Sequence, residues 1–255
     1  MIDQHYQKKQ YTQREAYAVA SSFSVMSIGY MGVLCNITGI EEHYVKVVCA
    51  TFVLVWIIAA IVVRIPPISL DPNTFIDGSE QSAEQRKVEH LENRFQVAVS
   101  AAVAQSETFT GKLFLQSLVN AVQFGLKVAG FIIPVVIVVL SIVYYTPVFS
   151  WISRPIVPIL EALQLPDAAL IAPSTIIGLI EVTLPSISIS GLGVATQSCF
   201  FVVVLSAVQI IFFTECANAM FEAHFKASAL KLIATFFVRT IVAIPLVAVV
   251  SHILF

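Results

Sequence analysis

The chain has 255 residues, of which 58% are hydrophobic and only 12% charged, with a mean hydropathy of +0.87. Soluble domains carry about 25% charged residues, so a chain this apolar and this short is excluded from the soluble class and belongs in a bilayer. The net charge of -2 offers no basic field for a nucleic acid partner.

Residues 1–15 read as a polar cytoplasmic tail with Lys8, Lys9 and Arg14 and without the apolar core of a signal peptide, so the spans themselves are expected to direct insertion. A membrane unit follows over 16–65. Its first segment, 16–36, is interrupted by Ser21, Ser22, Ser24, Ser27, Gly29 and Gly32, and its second, 44–63, is an unbroken apolar run that ends on Arg64 and Pro66. A polar connection occupies 66–111. Within it Val88, Leu91, Phe95, Ala98 and Ala102 share one face of an amphipathic helix over 84–102, which would lie on a surface or contact a partner.

Residues 112–255 read as a second membrane domain. A bilayer core of roughly 30 Å needs about 20 apolar residues per helix, and the runs 127–145, 200–214 and 232–255 are taken as spans beside 44–63. Two more segments are broken: 151–165 carries Arg154, Pro155, Pro158 and Glu161, and 168–193 carries Glu181 between Pro173 and Pro185. Irregular backbone at membrane depth survives only where protein or a water-filled cavity satisfies it. The expected fold is therefore an all-α polytopic membrane protein with four clear transmembrane helices plus two or three broken or re-entrant segments.

Lys and Arg gather in short cytoplasmic loops, which puts the N-terminus, the 66–111 connection, Lys226 and Lys231 on the cytoplasmic side of a multi-pass inner-membrane protein. Segments 151–165 and 168–193 must then both cross or both turn back, and the charges do not choose.

Ionisable groups at membrane depth mark functional candidates. Glu181 has Ser174, Thr175 and Ser186 around it in sequence, a density of hydrogen-bonding groups that suits a substrate or ion pathway; helix-packing glue is the alternative. Glu215 and Asn218 stand one turn apart and could hold a polar ligand or coupling cation, or else cap an interface. Arg239 is expected to snorkel to the cytoplasmic surface, or to pair with a glutamate. Asn36, Gln123 and Gln209 are weaker candidates; Asn36 closes an interrupted stretch that precedes a span, as 174–193 does, and transporters often place discontinuous helices at such corresponding positions. Cys35, Cys49, Cys199 and Cys216 form no metal or redox pattern and read as small buried hydrophobes. No catalytic, cofactor or metal motif is present, so no enzyme is expected.

The stretch 124–185 (FGLKVAGFIIPVVIVVLSIVYYTPVFSWISRPIVPILEALQLPDAALIAPSTIIGLIEVTLP) resembles the nucleoside-recognition Gate domain. REAYAVASSFSVMSIGYMG at 14–32, VVRIPPIS at 62–69, VQIIFFTE at 208–215 and VRTIVAIPLVAVVSHILF at 238–255 resemble one branch of it, the YjiH-like bacterial inner-membrane proteins. The resemblance implies a Gate-type domain over 112–255 and a permease, or the C-terminal half of one, for a small polar solute that the domain name suggests is nucleoside-like. It also implies a second membrane polypeptide or a homo-oligomer as partner, besides the lipid bilayer. The other reading is a non-transporting assembly or signalling partner that uses the 84–102 helix. The resemblance transfers no binding residue.

Overall fold

The computed structural model of the protein describes residues 2–23, 27–80, 99, 111–221 and 223–255. The expected amphipathic helix over 84–102 lies, Val99 apart, outside the described residues. Among those described the fold is all-helical, without a strand.

Two polar-side helices, α1 (Ile2–Gln7) and α2 (Gln13–Phe23), open the chain. The polar tail expected over 1–15 thus carries α1 and the start of α2, and Tyr6 is buried against Phe225 in an edge-on ring contact of 6.2 Å. Next comes α3 (Ile28–Thr38), started by Ser27, whose hydroxyl accepts from the Tyr30 N–H at 3.2 Å, and ended by Gly39 at a left-handed φ of 71°. α2 and α3 form a pair bent by 42°.

α4 (Tyr44–Val62) buries Val47, Thr51, Leu54, Ile58 and Val62, the spacing of one helix face, while Val45, Phe52, Val53 and Trp56 on other faces are exposed. A helix that is apolar on its exposed side as well suits lipid contact. α5 (Gly111–Tyr145) runs 35 residues with Pro134 inside it, and Val139 near its end packs on Ile177 and Leu184. Short helices follow: α6 (Val148–Ser153), α7 (Val157–Ala162), α8 (Ala168–Ile171), α9 (Ser174–Ile177) and α10 (Leu184–Ile189). α11 (Thr196–Gln209) is buried almost throughout and forms the centre of the core. A π-helical turn (Phe213–Ala217), α12 (Asn218–Phe221) and the 26-residue α13 (Ala229–Leu254) complete the chain.

Two helices, Glu41–Val62 and Ala229–Leu254, are long and apolar enough to cross a membrane, and the bent α2–α3 pair makes a third if it is one span. Among the described residues four clear spans are therefore not found. In 200–214 apolar sequence continues straight through a break after Gln209, because neighbouring protein, not the helix, satisfies the backbone there. Among the described residues the apolar part of α5 is Ile133–Tyr145.

Polar contacts divide the bundle into two ends. At one, Lys231 Nζ meets Asp71 at 2.6 Å, Lys9 Nζ meets Asp77 at 2.5 Å and His224 meets Asp3 at 2.9 Å. These pairs join α1 and the turn after it, the start of the connection, the loop before α13 and the first turn of α13. At the other end Lys46 Nζ donates to Leu254 O at 3.1 Å, Ser190 Oγ to Ile37 O at 2.8 Å and the Ala195 N–H to Asp167 Oδ2 at 2.9 Å. Asp167 and Ser190 are the feet of the α8–α10 segment, so it forms a hairpin that enters and leaves by this same end.

Candidate functional site

The tip of the hairpin, 178–183, meets α11 where that helix stops. Ile210 adopts φ 63° and ψ -36°, and the Ile211 N–H donates to Gln209 O at 2.7 Å, closing a γ-turn of the rare positive-φ kind. A β-branched residue in this region is strained and persists only where its surroundings over-determine it. The surroundings here are the hairpin: the Phe213 N–H donates to Leu179 O at 2.9 Å and the Thr214 N–H to Ile180 O at 3.3 Å. Main-chain groups released by the break are thus taken up by the tip, and the chain resumes as a π turn, a feature frequent at functional sites.

Gln209 ties three elements together. Its Nε2 donates to Thr175 O at 2.8 Å on α9 and to Thr240 Oγ1 at 2.9 Å on α13. Its Oε1 is buried without a hydrogen-bond partner among the described residues, as are Thr214 Oγ1, Ser186 Oγ, Ser22 Oγ and Thr51 Oγ1. Buried polar atoms are normally partnered, so orphaned acceptors and hydroxyls mark a place suited to a polar ligand. Gly178 leaves room for the Gln209 amide: a methyl group on it would lie 2.5 Å from Oε1.

Glu181 is 2% exposed, and its Oε2 accepts from the Thr183 N–H at 2.7 Å, from the Leu184 N–H at 3.1 Å and from the Thr183 hydroxyl. The carboxylate therefore satisfies the first turn of α10. Ser174 Oγ lies 3.0 Å from Ser188 Oγ and donates to Pro185 O at 3.4 Å, while Thr175 Oγ1 donates to Ala172 O at 2.7 Å. Those hydroxyls hold the hairpin together, and of the expected hairpin residues Ser186 keeps an unpartnered polar atom.

The other expectations separate from this site. Asn36 is exposed at the far end of the bundle, where its Nδ2 donates to Glu41 Oε1 at 3.0 Å. Glu215 falls in the π turn and Asn218 begins α12, so the single α-helical face expected for them is interrupted by a change of helix type; their side chains lie outside the described residues. Arg239 does not snorkel. It is fully buried, and donates to the carbonyls of Val208, Ser21 and Ser22. Of the cysteines, Cys35 and Cys199 are buried as expected, Cys216 is partly exposed and Cys49 is exposed. No group of metal-ligating side chains occurs among the described residues.

Gln209, a weaker candidate by sequence, is the one whose side chain joins three elements. Its signal was a lone amide within VVVLSAVQIIFF, where an unsatisfied polar group would be costly. Gly178, Thr214 and Thr240 carried no comparable signal.

The chain is 30% identical to an uncharacterized protein of Alkalihalophilus pseudofirmus over an alignment of 263 positions, covering 98% of this chain and 54% of the relative. It thus spans about half the length of the curated relative it matches. No family model and no solved structure matches the chain.

Proposed function

We propose that the chain is a permease, or part of one, for a small polar solute, working as a multi-pass inner-membrane protein with the Lys9, Asp71 and Lys231 end cytoplasmic. The observation that carries this reading is the junction of the hairpin tip with the strained break at Ile210. Broken helices and hairpins at membrane depth expose backbone groups and dipoles that can bind a solute and move with it. An anchor would need neither feature. The unpartnered Gln209 Oε1, Thr214 Oγ1 and Ser186 Oγ supply neutral hydrogen-bonding groups beside the junction. The resemblance to the Gate domain agrees in kind and suggests a nucleoside-like solute. Lipid covers the exposed apolar faces of α4 and α5, and a second membrane polypeptide or another copy of the chain is the expected partner.

Single cysteines placed along 174–189 and 209–214 test the proposal by their reaction with a water-soluble maleimide. A reactive stripe on the hairpin and the break, protected by one member of a panel of nucleosides and other small polar solutes, supports a pathway. Uniform protection, unchanged by any solute, would mean packed structure and remove the reading.

A further inference from the structure

α4 ends at Val62, and the sequence beyond it withholds the usual donors. A helical carbonyl accepts from the N–H four residues on. Four residues beyond Val63 stands Pro67, which has no N–H, and the Val63 carbonyl accepts instead from Arg14 Nη2 of α2 at 3.3 Å. The Arg64 N–H turns back to Ile61 O at 3.0 Å, and Arg64 Nη1 donates to Ala60 O. Two guanidiniums are thus fixed to carbonyls about one turn apart, roughly 5 Å, at the same helix end.

Their charges are not balanced where they sit. No carboxylate pairs with either among the described residues. Glu15, beside Arg14 in sequence, turns its Oε2 to the Thr12 N–H at 2.9 Å and the Thr12 hydroxyl at 3.0 Å. A helix C-terminus carries roughly half a negative charge, which leaves an excess of about one and a half positive charges. Guanidinium donors suit phosphate oxygens, and each of these side chains has donors to spare. Phe52, Val53, Trp56, Ile57 and Ile61 form an exposed apolar stripe at helical spacing, and exposed Arg64 continues that face.

We propose that this end of α4 binds an anionic phospholipid, with the phosphate between Arg14 and Arg64 and the acyl chains along the stripe. A free anion would make no use of the stripe, and a zwitterionic lipid brings its own cation and leaves the excess uncompensated. A lipid of one net negative charge, such as phosphatidylglycerol, offsets most of it. The proposal goes beyond transport and stands whether or not the protein is a permease.

The chain has two tryptophans, Trp56 on the stripe and Trp151, which is exposed on α6. Brominated acyl chains quench the fluorescence of a tryptophan they touch. In the full chain carrying Trp151→Phe, in phosphatidylcholine bilayers, brominated phosphatidylglycerol should reach Trp56 with about fivefold preference over brominated phosphatidylcholine. Arg14→Gln with Arg64→Gln should bring the two lipids level, and Trp151, read in a Trp56→Phe chain, should show no preference. Equal quenching of Trp56 by both lipids overturns the proposal, as does a preference that survives both glutamines or is shared by Trp151. Loss of the preference on adding inorganic phosphate would assign the arginines to a free anion and overturn it too. Should the Arg14→Gln chain fail to fold, Arg64→Gln alone, at an exposed position, decides by lowering the preference or leaving it intact.

Discussion

Gly178 and Gln209 approach so closely that a methyl group on the first would sit 2.5 Å from the amide oxygen of the second. The amide is the end of a flexible side chain, yet two hydrogen bonds hold it, to Thr175 O and to Thr240 Oγ1. Gly178→Ala should therefore expel Gln209 and cost about 1–3 kcal/mol, as overpacking does. In a Gln209→Ala background the same change should cost far less. A double-mutant cycle on the denaturation midpoint in detergent measures the difference, and additive costs would place the glycine's role elsewhere.

Glu181 acts on α10 as an acceptor for main-chain donors. Glu181→Ala leaves the Thr183 and Leu184 N–H groups unsatisfied and should lower stability by about 1–2 kcal/mol, the ordinary cost of losing a helix cap. Glu181→Gln retains a carbonyl oxygen and should keep most of that stability. The same pair of variants tests the glutamate as a charge for solute: equal loss of a solute-dependent thermal shift in both would show that the charge, not the cap, is what matters.

Lys231 and Asp71 form an ion pair at 2.6 Å with side chains only 16% and 9% exposed, and the ammonium also lies 3.5 Å from the centre of the Tyr17 ring. Removing one partner of such a pair strands the other. Lys231→Met should destabilise by about 3–5 kcal/mol, and Lys231→Met with Asp71→Leu by much less, because no charge is then left without a partner. Thermal midpoints of the single and double variants decide between this and a pair that is merely exposed and weak.

The docking of α1 should depend on pH. Burial tends to raise the Asp3 carboxyl, but hydrogen bonds from the side chain and backbone of His224 and from Gln7 outweigh it and hold the group below its ordinary 3.8. A depressed carboxylate contributes stability that is fully present above 3.8 and is lost as pH falls through the lowered value. Exchange of the α1 amides, corrected for the intrinsic rate, should rise once the pH drops below about 3.8. Asp3→Asn should abolish that transition; a transition that persists in the variant would assign it to another group.

Much of the framework could be read from residue order alone. The runs of 44–63 and 232–255 became helices because nothing in them competes with helix at bilayer length, and the segment rich in serine and glycine at 16–36 became a bent pair of helices. The break at Ile210 was illegible for a physical reason: VQIIFFT contains no glycine, proline or turn residue, and the helix ends there because a distant hairpin supplies acceptors for its N–H groups. Arg239 was misjudged for a related reason. Its partners are carbonyls, which every residue carries, so no complementary acid was available in sequence to predict a buried position.

The bonds from Phe213 and Thr214 to Leu179 and Ile180 are made by peptide groups, which have no letter in the sequence. Any residue other than proline could donate at 213 or 214, and any residue at all could accept at 179 or 180. Substitutions could therefore accumulate on both sides of this joint without loosening it. A relative would keep the same mechanical connection while its side chains there had changed beyond recognition, and a comparison of letters would record divergence where the backbone had conserved a contact.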